Sequence, residues 1–126
     1  MEFNQDIKLL IDGKWIQSSE RDSLPLINPA TEEILSNVPI ANDKDLDNSL
    51  ISSHKAFKIW SKFPPLKRQS IMLKAVEIIK SRQEEIAKTL TMEMGKTLRE
   101  SRQEINQVIE TTVWCCLLYT SPSPRD

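Results

Sequence analysis

Apolar residues in the first forty positions sit in short runs broken by turn formers, whereas from about residue 43 onward they recur every three or four positions. The first pattern predicts strands and the second amphipathic helices. Lys8 to Ile11 and Lys14 to Gln17 flank Asp12-Gly13, a dipeptide that supplies the positive φ angles of a tight two-residue turn, and so predict a hairpin. Leu24 to Ile27 and Ile34 to Pro39 predict a second strand pair around Asn28-Pro29-Ala30-Thr31-Glu32-Glu33. There the asparagine can bond to its own backbone and the proline presets φ, so each residue has a role in a turn. Residues 1 to 7 are expected to form a loose end and Ser18 to Ser23 a polar loop.

Four helices are expected after the strands. Asp43 is the expected cap of the first, about Lys44 to Lys62, with Leu46, Leu50, Phe57 and Trp60 on an inward stripe. Pro64-Pro65 ends it, and Pro65 can open the next helix, to Lys80, with Leu66, Met72, Ala75, Val76 and Ile79 buried. Ser81 and Glu84 have the spacing of a capping box for a third helix, with Ile86, Leu90 and Met94 on one face. That helix should stop at Gly95, a residue at ease in the left-handed region, with Lys96 at the negative end of the helix dipole. Thr97 and Glu100 repeat the capping spacing and launch a fourth helix from Leu98, with Ile105, Val108, Ile109 and Thr112 inward. By its own elements the chain is α+β: two N-terminal β-hairpins followed by about four helices.

A chain of 126 residues, 39% hydrophobic and 28% charged, is long enough for one core. A net charge of −1 gives no pull toward nucleic acid or an anionic membrane surface, and no apolar run has membrane-spanning length. The N-terminal MEFNQDIK lacks the basic and apolar regions of a signal peptide, and the two cysteines are adjacent rather than spaced as a disulfide framework. Both features favour the cytoplasm.

Few residues suggest chemistry. His54, the only histidine, has no carboxylate, serine or cysteine in a recognisable local relation to it, as general-base work would require. Phe57 and Trp60 have helical spacing, which suits core packing better than a stacking platform. Lys67, Arg68 and Lys74 lie among acids, as on a solvated helix face, rather than as a phosphate site. Glu93 and Lys96 suit a helix C-terminus better than an acid–base pair. Cys115-Cys116 lacks the further donors that zinc needs and the electropositive setting that a thiolate needs. No catalytic, cofactor-binding or metal-ligating residue is therefore assigned.

Thr91-Met92-Glu93-Met94-Gly95-Lys96, after an amphipathic helix that follows a Pro-Pro break, resembles the N-terminal portion of the aldehyde dehydrogenase superfamily, whose members commonly read T-x-E-x-G-K. Ile11-Asp12-Gly13-Lys14-Trp15, Asn28-Pro29-Ala30-Thr31 and Ala56-Phe57 with Trp60 agree in order and spacing. The family usually has proline where this chain has Thr97, a minor departure. The resemblance covers roughly residues 9 to 114 and implies the N-terminal segment, part of the NAD-binding domain, of a several-fold longer α/β enzyme. Such an enzyme oxidises a small aldehyde to a carboxylic acid with NAD or NADP and is expected to be a homo-oligomer; the resemblance at Thr91 to Lys96 implies the succinate-semialdehyde or broad-specificity branch. Its chemistry needs a cysteine thiolate, donors to hold the oxyanion and a glutamate-activated water. In the family these parts lie downstream of the helix that the sequence ends near Trp114. No glycine-rich dinucleotide turn can be built from Gly13 and Gly95 alone. This segment by itself is thus expected to be inactive and to bind no cofactor.

Residues 115 to 126 read differently. The helical period is expected to stop at Trp114, and Ser121-Pro122-Ser123-Pro124 cannot continue a helix. Leu117 to Ser121 back-translates, among other choices, to CTCTTATACACATCT, which resembles a transposase end used in preparing DNA libraries. The tail is therefore expected to be translated adapter rather than native protein. The alternative reading of the whole chain is a standalone helical interaction module without catalysis; it would be monomeric and melt cooperatively, whereas a segment cut from a larger enzyme would expose apolar faces.

Overall fold

A computed structural model describes residues 6–17 and 21–118. Of the expected loose end at residues 1 to 7 and the expected loop at 18 to 23, residues 1–5 and 18–20 lie outside the described residues, as does the tail from 119; Ser23 belongs to a strand rather than to the loop. The chain divides into two compact units, one of residues 1–61 and 92–95, the other of residues 62–91 and 96–126.

The first unit opens with an antiparallel pair, β1 (Leu9–Ile11) and β2 (Lys14–Ile16), in the register Leu9 to Ile16 and Ile11 to Lys14. The turn between them holds Asp12 at φ 53° and Gly13 at φ 71°, as the Asp-Gly dipeptide predicts. β3 (Ser23–Ile27) pairs antiparallel with β4 (Ile34–Pro39). Ile27 faces Ile34 but Leu26 faces Ser36, so Leu35 is the extra residue of a bulge. In the connecting loop the Asn28 side-chain oxygen accepts from the Ala30 amide at 3.0 Å, and the Asn28 carbonyl accepts from the Glu32 amide at 2.8 Å. This is the turn role expected of Asn28, and it leaves Glu32 at φ 62°.

Helix α1 (Asp43–Trp60) is capped by Asn42, one residue before the expected Asp43. The Asn42 side chain accepts from the Asp45 amide at 2.9 Å and the Asp45 carboxylate accepts from the Asn42 amide at 3.2 Å, a reciprocal box that Asp43 lacks the third-position partner to make. Asp43 instead places its charge in the first turn, where the dipole favours it. The expected inward stripe is not inward: Leu46, Leu50 and Phe57 are all more than half exposed, and only Trp60 is partly covered. Helical spacing correctly marks one apolar face, but nothing among the described residues of this unit lies over it.

The second unit holds the core. Helix α2 (Pro65–Ser81) starts with proline in its first turn, as expected, and helix α3 (Gln83–Met94) follows after the single residue Arg82. The Ser81–Glu84 capping box does not form. Ser81 remains in α2 and donates its hydroxyl back to the Ile78 carbonyl at 2.8 Å, while Glu84 turns to Arg102. Helix α4 (Leu98–Leu118) closes the unit. Val76, Ala87, Ile105 and Ile109 form the buried cluster, with Ile79, Ile86, Leu90, Leu98 and Val113 packed against it. Ala87 has no exposed surface, so a residue without a long side chain sits where α3 packs most tightly. Leu66, Met72, Ala75 and Val108 were expected inside and are exposed.

The fourth helix also corrects its expected end. It runs past Trp114 to Leu118, and Cys116 is buried, continuing the Ile105–Ile109 stripe at helical spacing. The prolines at 122 and 124 lie too far downstream to break the chain at Trp114.

Candidate functional site

Two places in the chain bring together the residues the sequence singles out. The first is the corner after α3. Thr91 and the buried Ser101 share a hydroxyl–hydroxyl bond of 2.9 Å, which satisfies a polar side chain sealed among the described residues of the helical unit. Lys96 pairs with Glu104, one helical stretch further on, rather than serving only the dipole of α3. Thr97 and Glu100 form the expected capping box: the Glu100 carboxylate accepts from the Thr97 amide at 3.0 Å, and the Thr97 hydroxyl accepts from the Glu100 amide at 3.3 Å. The Thr97 hydroxyl also donates to that carboxylate at 2.7 Å, and these bonds hold the Glu100 carboxyl below its ordinary range.

In the first unit, Gly95 sits at φ 74° with the ring of Pro29 against it; a Cβ built there would lie 2.8 Å from the proline Cγ. Two stretches of the family resemblance, Asn28 to Thr31 and Thr91 to Lys96, therefore meet at this point. Arg21 and Asp45 make a two-bonded pair at 2.8 and 2.7 Å, with both side chains largely buried. The guanidinium foremost, with the Asn42 amide, holds the Asp45 carboxyl down at about 2, against the opposing effect of burial. Sequence reading missed this pair, because nothing in local spacing links Arg21 to a carboxylate twenty-four positions away.

The second place is a cleft of about 280 Å³ between the β1–β2 hairpin and α1. Ile11, Ile16 and Ile51 give it apolar walls. Asp12, Lys14, Asn48, Ser52 and Lys55 give it polar ones, and the Ser52 hydroxyl donates to Asp12 Oδ1 at 2.8 Å. Lys14 and Asp12 belong to the resemblance, but their facing α1 has no signal in the sequence.

The remaining candidates do not assemble. His54 is exposed on α1. Glu93 is exposed and Lys96 pairs with Glu104. Cys115 is exposed and Cys116 buried, both free, and no group of three potential ligands is close enough to hold a metal among the described residues. Lys67 lies over the Phe63 ring at 3.9 Å, a local cation–π contact rather than part of a phosphate site. Gly13 is committed to the hairpin turn and Gly95 to Pro29, so the two glycines do not form a glycine-rich turn of the kind that approaches a pyrophosphate.

Residues 15–124 match the model of the aldehyde dehydrogenase family. The chain belongs to the aldehyde dehydrogenase family. It is 36% identical over 109 residues to a probable methylmalonate-semialdehyde/malonate-semialdehyde dehydrogenase, acylating and mitochondrial, of Anopheles gambiae, covering 86% of this chain and 21% of that protein. Its fold is similar to that of an aldehyde dehydrogenase from Bartonella henselae, with a TM-score of 0.87 and 27% identity over 94% of this chain and 25% of the other. It is also similar to aldehyde dehydrogenase 21 from Physcomitrella patens, solved with the reaction product succinate, with a TM-score of 0.82 and 29% identity over 87% and 23% of the two chains. The chain thus spans about a fifth to a quarter of the length of the relatives it matches. Within the stretch that carries the aldehyde dehydrogenase resemblance, Thr91 bonds Ser101, Gly95 admits Pro29 and Lys96 pairs with Glu104.

Proposed function

We propose that this chain is the N-terminal segment of an NAD(P)-dependent dehydrogenase that oxidises a small aldehyde bearing a carboxylate at its other end, and that the segment alone is inactive. The family match over residues 15–124 carries the reading. The relative from Anopheles gambiae is named for malonate and methylmalonate semialdehydes, and the Physcomitrella patens structure holds succinate. Both names support a semialdehyde; the 36% identity to the Anopheles gambiae relative favours the malonate type over the succinate-semialdehyde or broad-specificity branch expected from Thr91 to Lys96.

The nicotinamide cofactor, when bound to the whole enzyme, supplies the hydride acceptor. What this chain's residues contribute is support: they fix the hairpins and the four-helix stretch by the contacts described above. No nucleophile, oxyanion donor or water-activating base is assigned to them. The whole enzyme is proposed to be a cytoplasmic homo-oligomer, although the Anopheles gambiae relative is named as mitochondrial. Residues 119–126, and the tail from Cys115 as a whole, are proposed to be translated adapter; the burial of Cys116 is supported by its place on the helical stripe and does not depend on the origin of the codons.

The test is NAD(P)H formation followed by absorbance, with malonate, methylmalonate and succinate semialdehydes and both cofactors. The isolated chain should give no turnover above buffer; turnover with any of them would overturn the proposed inactivity. The same assay on the protein encoded by the full reading frame should favour malonate over succinate semialdehyde. The opposite preference would overturn the substrate proposal.

A further inference from the structure

The cleft between the β1–β2 hairpin and α1 has an imbalance of hydrogen-bonding groups. Its lining residues include two lysines, Lys14 and Lys55, and one aspartate, Asp12. That carboxylate already accepts the Ser52 hydroxyl, so the serine proton is spent inside the cleft. Neither lysine takes part in an ion pair among the described residues, whereas Lys8, Arg21, Lys80, Arg82, Lys96 and Arg102 each do. With the Asn48 amide, the walls offer more donors than acceptors and a formal surplus of one positive charge. Three isoleucines supply the remaining surface. A volume of about 280 Å³ lies just below the range of pockets that take drug-sized ligands.

From this geometry we propose that the cleft binds a short-chain aliphatic carboxylate, its oxygens toward Lys14 and Lys55 and its alkyl stem along Ile11, Ile16 and Ile51. The site lies wholly within the first unit and stands apart from the proposed oxidation of an aldehyde, which uses none of these residues. A phosphate would satisfy the lysines but leave the isoleucines unused. A neutral alcohol of the same length would cover the isoleucines but leave the donors in surplus. The lysines are exposed, so binding should be weak and should decline as salt is raised.

The test is a titration of the ¹⁵N-labelled 126-residue chain with sodium butyrate, with butanol, inorganic phosphate and sodium chloride as parallel arms. Butyrate should give saturable shifts at the amides of Gly13, Lys14, Ser52 and Lys55, with a Kd on the order of millimolar. Lys55→Gln should weaken binding about fivefold, the value of one exposed charged contact. Lys14→Gln combined with Lys55→Gln should abolish it, with the rest of the spectrum unchanged. As a measurement at low protein concentration, butyrate should protect Lys14 and Lys55, but not Lys74 or Lys88, from acetylation read by mass spectrometry. Equal shifts with butanol, saturation by phosphate but not butyrate, no effect of the substitutions, or no protection would each overturn the proposal. A failure here leaves the assignment of the chain to a dehydrogenase standing, because the aldehyde assay reads the other activity independently.

Discussion

Replacing Gly95 by alanine separates two effects that glycine can have in one chain. The first is the dihedral. Gly95 sits at φ 74° and Gly13 at φ 71°, so a side chain at either should cost roughly 1–2 kcal/mol for the left-handed conformation. The second is space, and here the two glycines differ. A Cβ at Gly13 would meet nothing within 4 Å, whereas a Cβ at Gly95 would lie 2.8 Å from Pro29 Cγ. Carbon atoms settle at about 3.5–4.0 Å, so the proline ring would have to retreat by about 0.7 Å or more. Overpacking of this kind costs about 1–3 kcal/mol. Gly95→Ala should therefore destabilise by about 2–5 kcal/mol and Gly13→Ala by only about 1–2 kcal/mol. Urea unfolding followed by circular dichroism measures the totals, and hydrogen exchange at the β3–β4 amides measures the loss locally. Adding Pro29→Ala should recover most of the excess at Gly95 and nothing at Gly13, a coupling that a double-mutant cycle isolates. Equal losses at the two glycines, or no coupling to Pro29, would refute the close-approach argument.

Thr97→Ala removes the hydroxyl of the capping box at α4 and should cost about 1 kcal/mol, with Thr97→Ser close to the parent; the shift in urea midpoint measures both. Because Arg21 holds the Asp45 carboxyl down at about 2, the pair's contribution is complete above the ordinary carboxylate pKa and is lost as pH falls through about 2. The acid limb of a stability–pH curve should therefore be shallower between about pH 4 and pH 2 in Asp45→Asn than in the parent chain, and an unchanged limb would remove the pair from the account. Ile105→Ala empties a position in the buried cluster and should cost about 2–5 kcal/mol, whereas Leu50→Ser on the uncovered face of α1 should change stability by less than about 0.5 kcal/mol. Chemical denaturation compares them directly, and a large loss at Leu50 would mean that its face is covered in solution.

Local chemistry was the legible part of this chain. Asp12-Gly13, Asn28-Pro29 and the Thr97–Glu100 box are signals in which a few adjacent residues carry both the geometry and the hydrogen bonds, and each appears where it was expected. Long-range partners were not legible. Ser81 and Glu84 have the right spacing for a cap, but α2 keeps the serine and Arg102 attracts the glutamate. The apolar stripe of α1 was read correctly as a stripe and wrongly as a core, since periodicity names a face and not what covers it. The end of α4 was not legible either: the helical period is expected to stop at Trp114, yet the helix runs on to Leu118 with Cys116 buried on its stripe. The Pro29–Gly95 contact, the Arg21–Asp45 pair and the lysine-lined cleft each join segments that only the fold brings together.

On the proposed function, these hairpins and helices belong to a longer semialdehyde-oxidising dehydrogenase. Sequencing the source transcript or unfragmented DNA through the codon for Trp114 tests it most directly. The account predicts a frame that departs from the present codons at or just after Trp114 and runs on through a nucleotide-binding segment and a reactive cysteine. An authentic stop codon immediately after Asp126, with no such segment in frame, would contradict it.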